Sequence, residues 1–212
     1  AAIVVEVTGM TFMALFISRL GATAVAGHQI AANLAALLFM MPLAIGNATT
    51  TLVAQAIGAR AMAAAERIGW HGLALGLMVA AVMAGAVYVG RHAVVDLYTA
   101  DAAVAAAALS FVAWLAWFHI GDAVQTVAAA VLRAWRVTTV PLVIYALAIW
   151  GVGLGGGWWL AFAAPPETPP WLRGAPGFWV AAAGSLIVTA LALSVFLAWM
   201  LRRASRTRPA AA

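Results

Sequence analysis

Long apolar segments separated by short polar ones are the feature that most restricts how this chain can fold. A helix needs roughly 20 apolar residues to cross the hydrocarbon core of a bilayer. Charged residues make up 8% of the chain and the mean hydropathy is +1.05, against roughly 25% charged residues in soluble domains. The sequence predicts an all-α membrane protein whose six transmembrane helices form one lobe at 1–201, followed by a basic cytoplasmic tail at 202–212. The predicted spans are about 1–20, 28–57, 68–90, 102–133, 141–162 and 178–201.

The basic balance of the chain fits a membrane better than a nucleic acid. The net charge is +5 and the basic residues number 11, but they stand singly or in pairs between apolar segments, with one cluster at the C-terminus. Such a distribution is typical of membrane topology, so we predict a lipid bilayer and no nucleic acid as partner. Cysteine is absent, which excludes disulfides and thiolate metal sites.

One carboxylate, Asp122, lies deep within the fourth apolar segment. A charged side chain inside a bilayer is costly, and such residues mark ion or substrate pathways. On a helix Asp122, Gln125 and Thr126 stand at i, i+3 and i+4 and share one face. A second carboxylate, Glu6, lies in the first segment. We interpret the two acids as the functional pair; the alternative for Asp122 is a structural acid that bonds a neighbouring helix or is neutralised by His119.

The second segment carries polar side chains that a lipid-facing helix would not carry. The segment is predicted to bend at Pro42 and to be interrupted at 46–47. Its polar side chains either line a cavity or hold neighbouring helices together, and the pattern leaves both readings open. The candidates are Gln29, Asn33, Asn47 and Thr51.

Methionine and histidine give weaker signals. His28 and His119 fit packing or interfacial positions better than ligand positions, and no spacing of His, Asp and Glu resembles a zinc site. No cofactor is predicted beyond a coupling ion. Methionines offer either an adaptable surface for drug binding or ordinary packing. These methionines are Met10, Met13, Met40 and Met41.

Four stretches of the chain resemble the multidrug and toxic compound extrusion (MATE) family, in its NorM-like branch. Their order and spacing match the second half of such a transporter, helices seven to twelve. The chain opens without Met, so we expect a piece of a longer protein. The stretches are VVEVTGMTFMALFISRLG at 4–21, AVAGHQIAANLAALLFMMPLAIGNATTTLVAQAIGAR at 24–60, LYTADAAV at 97–104 and DAVQTVAAAVLRAWRVTTVP at 122–141.

The resemblance implies an antiporter of two six-helix lobes that exports organic cations from the cell in exchange for protons or sodium ions. The partners of this chain would then be a small organic cation and an N-terminal six-helix lobe in the inner membrane. The family's cation-coupling acids map to Glu6 and Asp122, which would also hold Na+ if sodium is the coupling ion. Phe118 stands where some relatives have Tyr. The loss of that hydroxyl ligand favours protons over sodium.

Two other functions are weighed against this one. A flippase for lipid-linked oligosaccharides, from the same superfamily, would have a basic cavity lining, which the sequence does not suggest. An intramembrane enzyme would use Asp122 and His119, but it would need a second catalytic group at the same depth. No such group is visible in the sequence, so we predict that the protein is not an enzyme.

Arginine asymmetry predicts that both termini lie in the cytoplasm. Eight arginines flank the predicted spans on the side of the termini and three on the opposite side, and cytoplasmic loops carry the excess of basic residues. Alkaline phosphatase fused after Ala212 should therefore be inactive, whereas the same enzyme inserted in the Pro-rich loop at 164–174 should be active. The opposite pair of activities would contradict the predicted topology.

Overall fold

The chain folds into a bundle of long helices with no strand among the residues described. The computed structural model describes residues 2–206, with side chains for residues 4–5 and 7–203. Five of its helices are long and apolar enough to cross a membrane, and α1 contributes a shorter apolar segment, Val7–Ser18. The predicted all-α membrane architecture is thus confirmed. The helices are α1 (Ala2–Ser18), α2 (Ala22–Gly58), α3 (Met62–Asp96), α4 (Ala102–Ala134), α5 (Thr139–Ala163) and α6 (Ala175–Arg206).

Helix α4 is the centre of the bundle, since it packs extensively against α2, α3 and α6. It begins at Ala102 because the Asp101 side chain caps it: Oδ1 of Asp101 accepts hydrogen bonds from the backbone N–H groups of Ala103 and Val104, at 2.8 and 3.0 Å. Such a cap satisfies backbone donors that the first turn of a helix leaves unpaired. Asp122 lies on this helix, which packs against three of the other long helices.

Two apolar clusters lie on either side of Asp122 along α4. The first contains Phe111 and Leu115 of α4 together with Trp179 of α6. The second contains Val131 of α4 and Leu197 of α6. The carboxylate stands between these clusters, so the bundle is held together above and below the polar position.

Helix α3 is longer at both ends than the sequence suggested. The predicted span at 68–90 lies between 58–67, whose composition fits a loop or an interfacial turn, and 91–101, which fits a surface connection with a short amphipathic piece. The helix runs from Met62 to Asp96. Ala65 and Val95, near its two ends, are fully buried. Packing of the end residues against the bundle therefore extends the helix through segments whose polar composition had suggested loops.

Helix α2 is continuous from Ala22 to Gly58, with Pro42 inside it. The helix begins six residues before the predicted span at 28–57, and the predicted interruption at 46–47 was wrong. Gly46 is instead a packing position, because a Cβ there would lie 3.3 Å from the Cβ of Ala130 on α4. One turn later, the Thr50 hydroxyl donates a 2.9 Å hydrogen bond to the Ala130 carbonyl, so α2 and α4 are joined along this stretch.

Helix α5 departs from regular α geometry. It contains two π-helical segments, Ala148–Gly155 and Trp159–Ala163, in which the hydrogen bonds reach five residues instead of four. Two glycines of α5 lie in close helix contacts: a Cβ on Gly153 would meet the Ser185 hydroxyl at 3.0 Å, and one on Gly157 would overlap the Phe178 ring. Gly151 has open space around it.

The closest helix contact near the polar centre is at Gly121. A Cβ there would lie 2.8 Å from the backbone nitrogen of Ile187 and 2.9 Å from the carbonyl carbon of Leu186, both on α6. Backbone atoms cannot move aside as a flexible side chain can. Glycine is therefore needed for α4 and α6 to approach this closely, one residue before Asp122.

Replacing Gly121 by Ala should destabilise the bundle. Overpacking a tight interior contact typically costs about 1–3 kcal/mol, so the apparent Tm of the purified protein, measured by tryptophan fluorescence, should fall. Gly85→Ala is the matched control, because a Cβ at Gly85 meets nothing within 4 Å and alanine is the better helix former. An unchanged Tm for Gly121→Ala would contradict the assigned contact.

Candidate functional site

Asp122 is buried and its carboxylate is held by its own helix. The residue is 6% exposed, and Gln125 is 8% exposed. The Gln125 side-chain nitrogen donates hydrogen bonds of 3.0 Å to Oδ1 of Asp122 and 3.0 Å to the hydroxyl of Thr126. The three side chains therefore lie together on one face of α4, as their spacing predicts.

This polar group lines a large cavity within the lobe. The cavity has a volume of about 1120 Å³, somewhat above the range of roughly 300–1,000 Å³ that accommodates drug-sized ligands. Residues from α1, α2, α4, α5 and α6 contribute to its wall, which is mostly apolar. One end of the cavity is marked by His28 and the other by Arg133; we call these the His28 end and the Arg133 end.

Apart from His28 and the further methionines described below, six of the residues singled out from the sequence line this cavity. They come from three helices, so the fold brings together positions far apart in the chain. They are Met10, Gln29, Phe118, Asp122, Gln125 and Thr126.

Three other candidates lie outside this cavity. The Asn33 side chain accepts a 2.8 Å hydrogen bond from the Tyr98 hydroxyl and lines a separate, open depression. Asn47 and Thr51 are exposed on the surface of α2, and the Thr51 hydroxyl bonds the Asn47 carbonyl of its own helix. Glu6 belongs to α1, but its side chain lies outside the described residues.

The methionines and the histidines divide between cavity and core. Met10, Met13 and Met40 line the cavity, whereas Met41 is exposed outside it. His119 is 1% exposed and belongs to the packed interior of α4, in line with the packing interpretation.

Sequence reasoning missed several polar side chains of the cavity wall. Tyr145 of α5 and Ser185 of α6 both line it, and Arg133 lies at one end with Thr138 and Thr139. Tyr145 is the important omission. The argument against sodium considered only that Phe118 of α4 has no hydroxyl group, whereas Tyr145 of α5 contributes a phenol to the same cavity wall. In the sequence, Tyr145 could have been noticed as a single Tyr within an apolar segment.

The side chains of the cavity wall include groups that can bind a cation in apolar surroundings. Asp122 supplies an anionic ligand, Gln125 and Thr126 supply neutral oxygens, and Phe118 supplies an aromatic face. No group of three or more His, Asp or Glu side chains capable of holding a transition metal occurs within the described part of the chain. The arrangement suits a proton, an alkali cation or an organic cation.

The fold and this intramembrane carboxylate define a multi-pass membrane protein with a cation-compatible cavity in its helical lobe. The MatE family model matches residues 1–159, three quarters of the chain. The chain belongs to the MatE family.

Relatives in sequence and structure agree with this assignment. The chain is 47% identical over 199 residues to a probable multidrug resistance protein NorM of Aromatoleum aromaticum, which covers 93% of the chain and 42% of that protein. It is 37% identical to another of Xanthomonas axonopodis pv. citri, over 91% of the chain and 40% of that protein. The chain thus spans about two fifths of the length of these curated relatives.

A solved structure shares the fold at low sequence identity. An outward-facing multidrug resistance MATE family transporter of the MOP superfamily superposes with a TM-score of 0.85 at 15% identity. The match covers 97% of this chain and 45% of that protein. At this identity the likeness establishes the fold alone.

Cysteine labelling can map the cavity wall, because the chain has no native cysteine. Ala129 lines the cavity, whereas its neighbour Ala128 is fully buried. Ala129→Cys should react with a small water-soluble methanethiosulfonate in membranes, and Ala128→Cys, the same substitution one position away, should not. Equal reactivity of the two cysteines would contradict the placement of the cavity.

Proposed function

We propose that this chain forms one lobe of a secondary antiporter that exports cationic organic compounds in exchange for protons or sodium ions. The observation that carries the proposal is a buried carboxylate, Asp122, held by Gln125 in the wall of an apolar cavity large enough for a drug-sized molecule. The family membership and the names of the NorM relatives support the same function.

Asp122 acts in this proposal as the coupling group. A carboxylate in an apolar interior is stabilised when it binds a proton or a metal cation. An organic cation in the same cavity satisfies the same negative charge, so ion and substrate compete for it. Binding of the coupling ion from outside would then displace the substrate, and loading of substrate from inside would displace the ion, as alternating access requires.

Glu6 is proposed as the second acid of the coupling site. It stands on α1, whose residues Met10 and Met13 line the cavity that contains Asp122. The coupling ion is a proton or sodium, and Tyr145 in the cavity wall weakens the argument from Phe118 against sodium. With sodium, Glu6 and Asp122 would be its anionic ligands.

The proposed setting is the inner membrane, with both termini of this chain in the cytoplasm. A second six-helix lobe would face this one and complete the transporter, in line with the two-fifths coverage of the relatives. A lipid-linked oligosaccharide flippase is less well supported, because Arg133 is the one Arg or Lys side chain among the described residues that line the cavity.

In the full-length transporter, Asp122→Asn should abolish efflux that is driven by an ion gradient. Asparagine keeps the volume and much of the hydrogen bonding, so the protein should reach the membrane, but the charge that binds the ion is lost. Uptake of ethidium into everted vesicles, which corresponds to export from the cell, should fall to background with either an imposed proton gradient or an imposed sodium gradient. Glu6→Gln should lower efflux in the same assay, and the gradient that drives the unsubstituted protein identifies the coupling ion.

Asp101→Asn is the matched control. It makes the same substitution at an acid that caps α4 outside the cavity, and asparagine caps helices about as well as aspartate. This variant should transport normally. Unchanged gradient-driven efflux by Asp122→Asn would show that Asp122 is a structural acid and would overturn the proposed role.

A further inference from the structure

The charged side chains are distributed unevenly between the two ends of the bundle. Where α2, α4 and α6 end and α3 and α5 begin, the described side chains include six exposed arginines and one acid, Glu66. At the opposite end three arginines accompany three acids, so the charges there balance. The opposite end holds Arg19, Arg91 and Arg173 with Asp96, Asp101 and Glu167. We call the first end the basic end; its arginines are Arg60, Arg67, Arg133, Arg136, Arg202 and Arg203.

Packing brings the arginines of α3 and α4 to one level. A Cβ on Gly69 of α3 would lie 3.1 Å from Cγ1 of Val131 on α4. The short connection at 97–101 joins the two helices, so they run in opposite directions. Arg67, two residues before Gly69, and Arg133, two residues after Val131, therefore lie at about the same height along the bundle.

Helix α6 reaches the same level. Leu201 of α6 belongs to the apolar cluster that contains Val131 and Leu132 of α4, and Arg202 and Arg203 follow Leu201 directly. The arginines of three helices thus surround the point where the apolar segments end. In a membrane this is the depth of the lipid headgroups.

A row of exposed apolar residues on α6 leads to this charge. Leu191, Val195 and Trp199 are 63%, 68% and 49% exposed. They stand four residues apart, so they form one ridge of the helix. Arg203 continues the row, and its guanidinium carbon lies 4.4 Å from the centre of the Trp199 ring. The row changes from aliphatic side chains to Trp and then to Arg, which is the order of a bilayer and its interface.

We propose that the basic end and this row of α6 form a binding site for an acidic phospholipid. Its phosphate lies against Arg202 and Arg203, and one acyl chain lies along Val195 and Leu191. The arginines of α3 and α4 at the same level add to the attraction. This site is separate from the cavity of the antiporter, because the row lies on the outer surface of α6.

The charge of the basic end selects an acidic lipid over a zwitterionic one. A zwitterionic headgroup carries an amine that cancels its phosphate, whereas an acidic headgroup keeps a net negative charge. Each arginine near a headgroup layer contributes about fivefold to the binding constant of an acidic lipid surface. A soluble phosphate ester meets the same arginines but gains nothing from the apolar row. Lipid is therefore the ligand that matches both parts of the site.

The opposite end lacks this selectivity. Its three acids offset its three arginines, and two of those arginines bond their own surroundings. Nη1 of Arg91 donates a 2.6 Å hydrogen bond to the Tyr88 carbonyl, and Nη1 of Arg173 donates one of 3.2 Å to the Pro166 carbonyl. The opposite end therefore serves as an internal control for the effect of arginine itself.

Photo-crosslinking tests the proposal. The full-length transporter is placed in phosphatidylcholine nanodiscs that contain a small fraction of a diazirine-bearing probe, either phosphatidylglycerol or phosphatidylcholine, and labelled positions are identified by mass spectrometry. The phosphatidylglycerol probe should label 191–199 at least tenfold more than the phosphatidylcholine probe. Combined Arg67→Gln, Arg202→Gln and Arg203→Gln should bring this ratio close to one. Lysine at the same three positions keeps the charge and should keep the preference, which separates loss of charge from loss of fold.

Arg19→Gln, Arg91→Gln and Arg173→Gln combined are the matched control, since they remove the same charge from the opposite end. This variant should keep the preference for phosphatidylglycerol at 191–199. Equal labelling by both probes in the unsubstituted protein would overturn the proposal, as would an equal loss of preference in the two glutamine variants. Excess soluble glycerophosphoglycerol should leave the labelling unchanged; if it abolishes the labelling, the arginines bind soluble phosphate esters and the assignment to lipid is wrong. None of these measurements depends on transport, so they stand apart from the test of the antiporter function.

Discussion

The close approach of α4 and α6 at Gly121 is the contact on which the proposed site depends. Ile187 and Leu186 present backbone atoms within 3 Å of the position that a side chain would occupy. Small residues allow such contacts in membranes, where helices associate by packing rather than by the hydrophobic effect. Because Asp122 is the next residue, the same contact fixes the depth and direction of the carboxylate. Apolar clusters on either side then keep this helix pair rigid where the charge must be held.

The part of the candidate site that lies on a single helix could be predicted from the sequence. The spacing of Asp122, Gln125 and Thr126 determines a shared face, and the structure places these side chains within 3.0 Å hydrogen bonds of one another. Tyr145 and Ser185 could not be found in this way, because their position in the cavity depends on how α5 and α6 pack against α4. Helix boundaries failed for a related reason: the ends of α3 contain polar residues, but the buried Ala65 and Val95 extend the helix.

Helix α5 shows why helical periodicity alone could not define the cavity wall. A π-helical turn contains more residues than an α-helical turn. The residues that lie on the same face of α5 as Tyr145 are therefore spaced differently from those of a regular α-helix. The wall residues that follow are Ile149, Gly153 and Leu154. Glycines are frequent in this helix, and at Gly153 the missing side chain brings the Ser185 hydroxyl to the same wall. Irregular backbone is tolerated at membrane depth where it lines a cavity, and α5 lines this cavity with one face between Tyr145 and Leu154.

The cavity is lined by two side chains of opposite charge at different positions along α4. Asp122 and Arg133 both line it and lie 11 residues apart on α4, about 16 Å at 1.5 Å per residue. In the proposed antiporter, a cation on the Phe118 side of Asp122 lies against an aromatic ring, whereas one on the Arg133 side lies beside a guanidinium of its own sign. Exposure of Arg133 to solvent weakens this repulsion, and the apolar wall around Asp122 strengthens the attraction. In the proposed antiporter, the field within the lobe therefore favours a cation near Asp122 over one near Arg133.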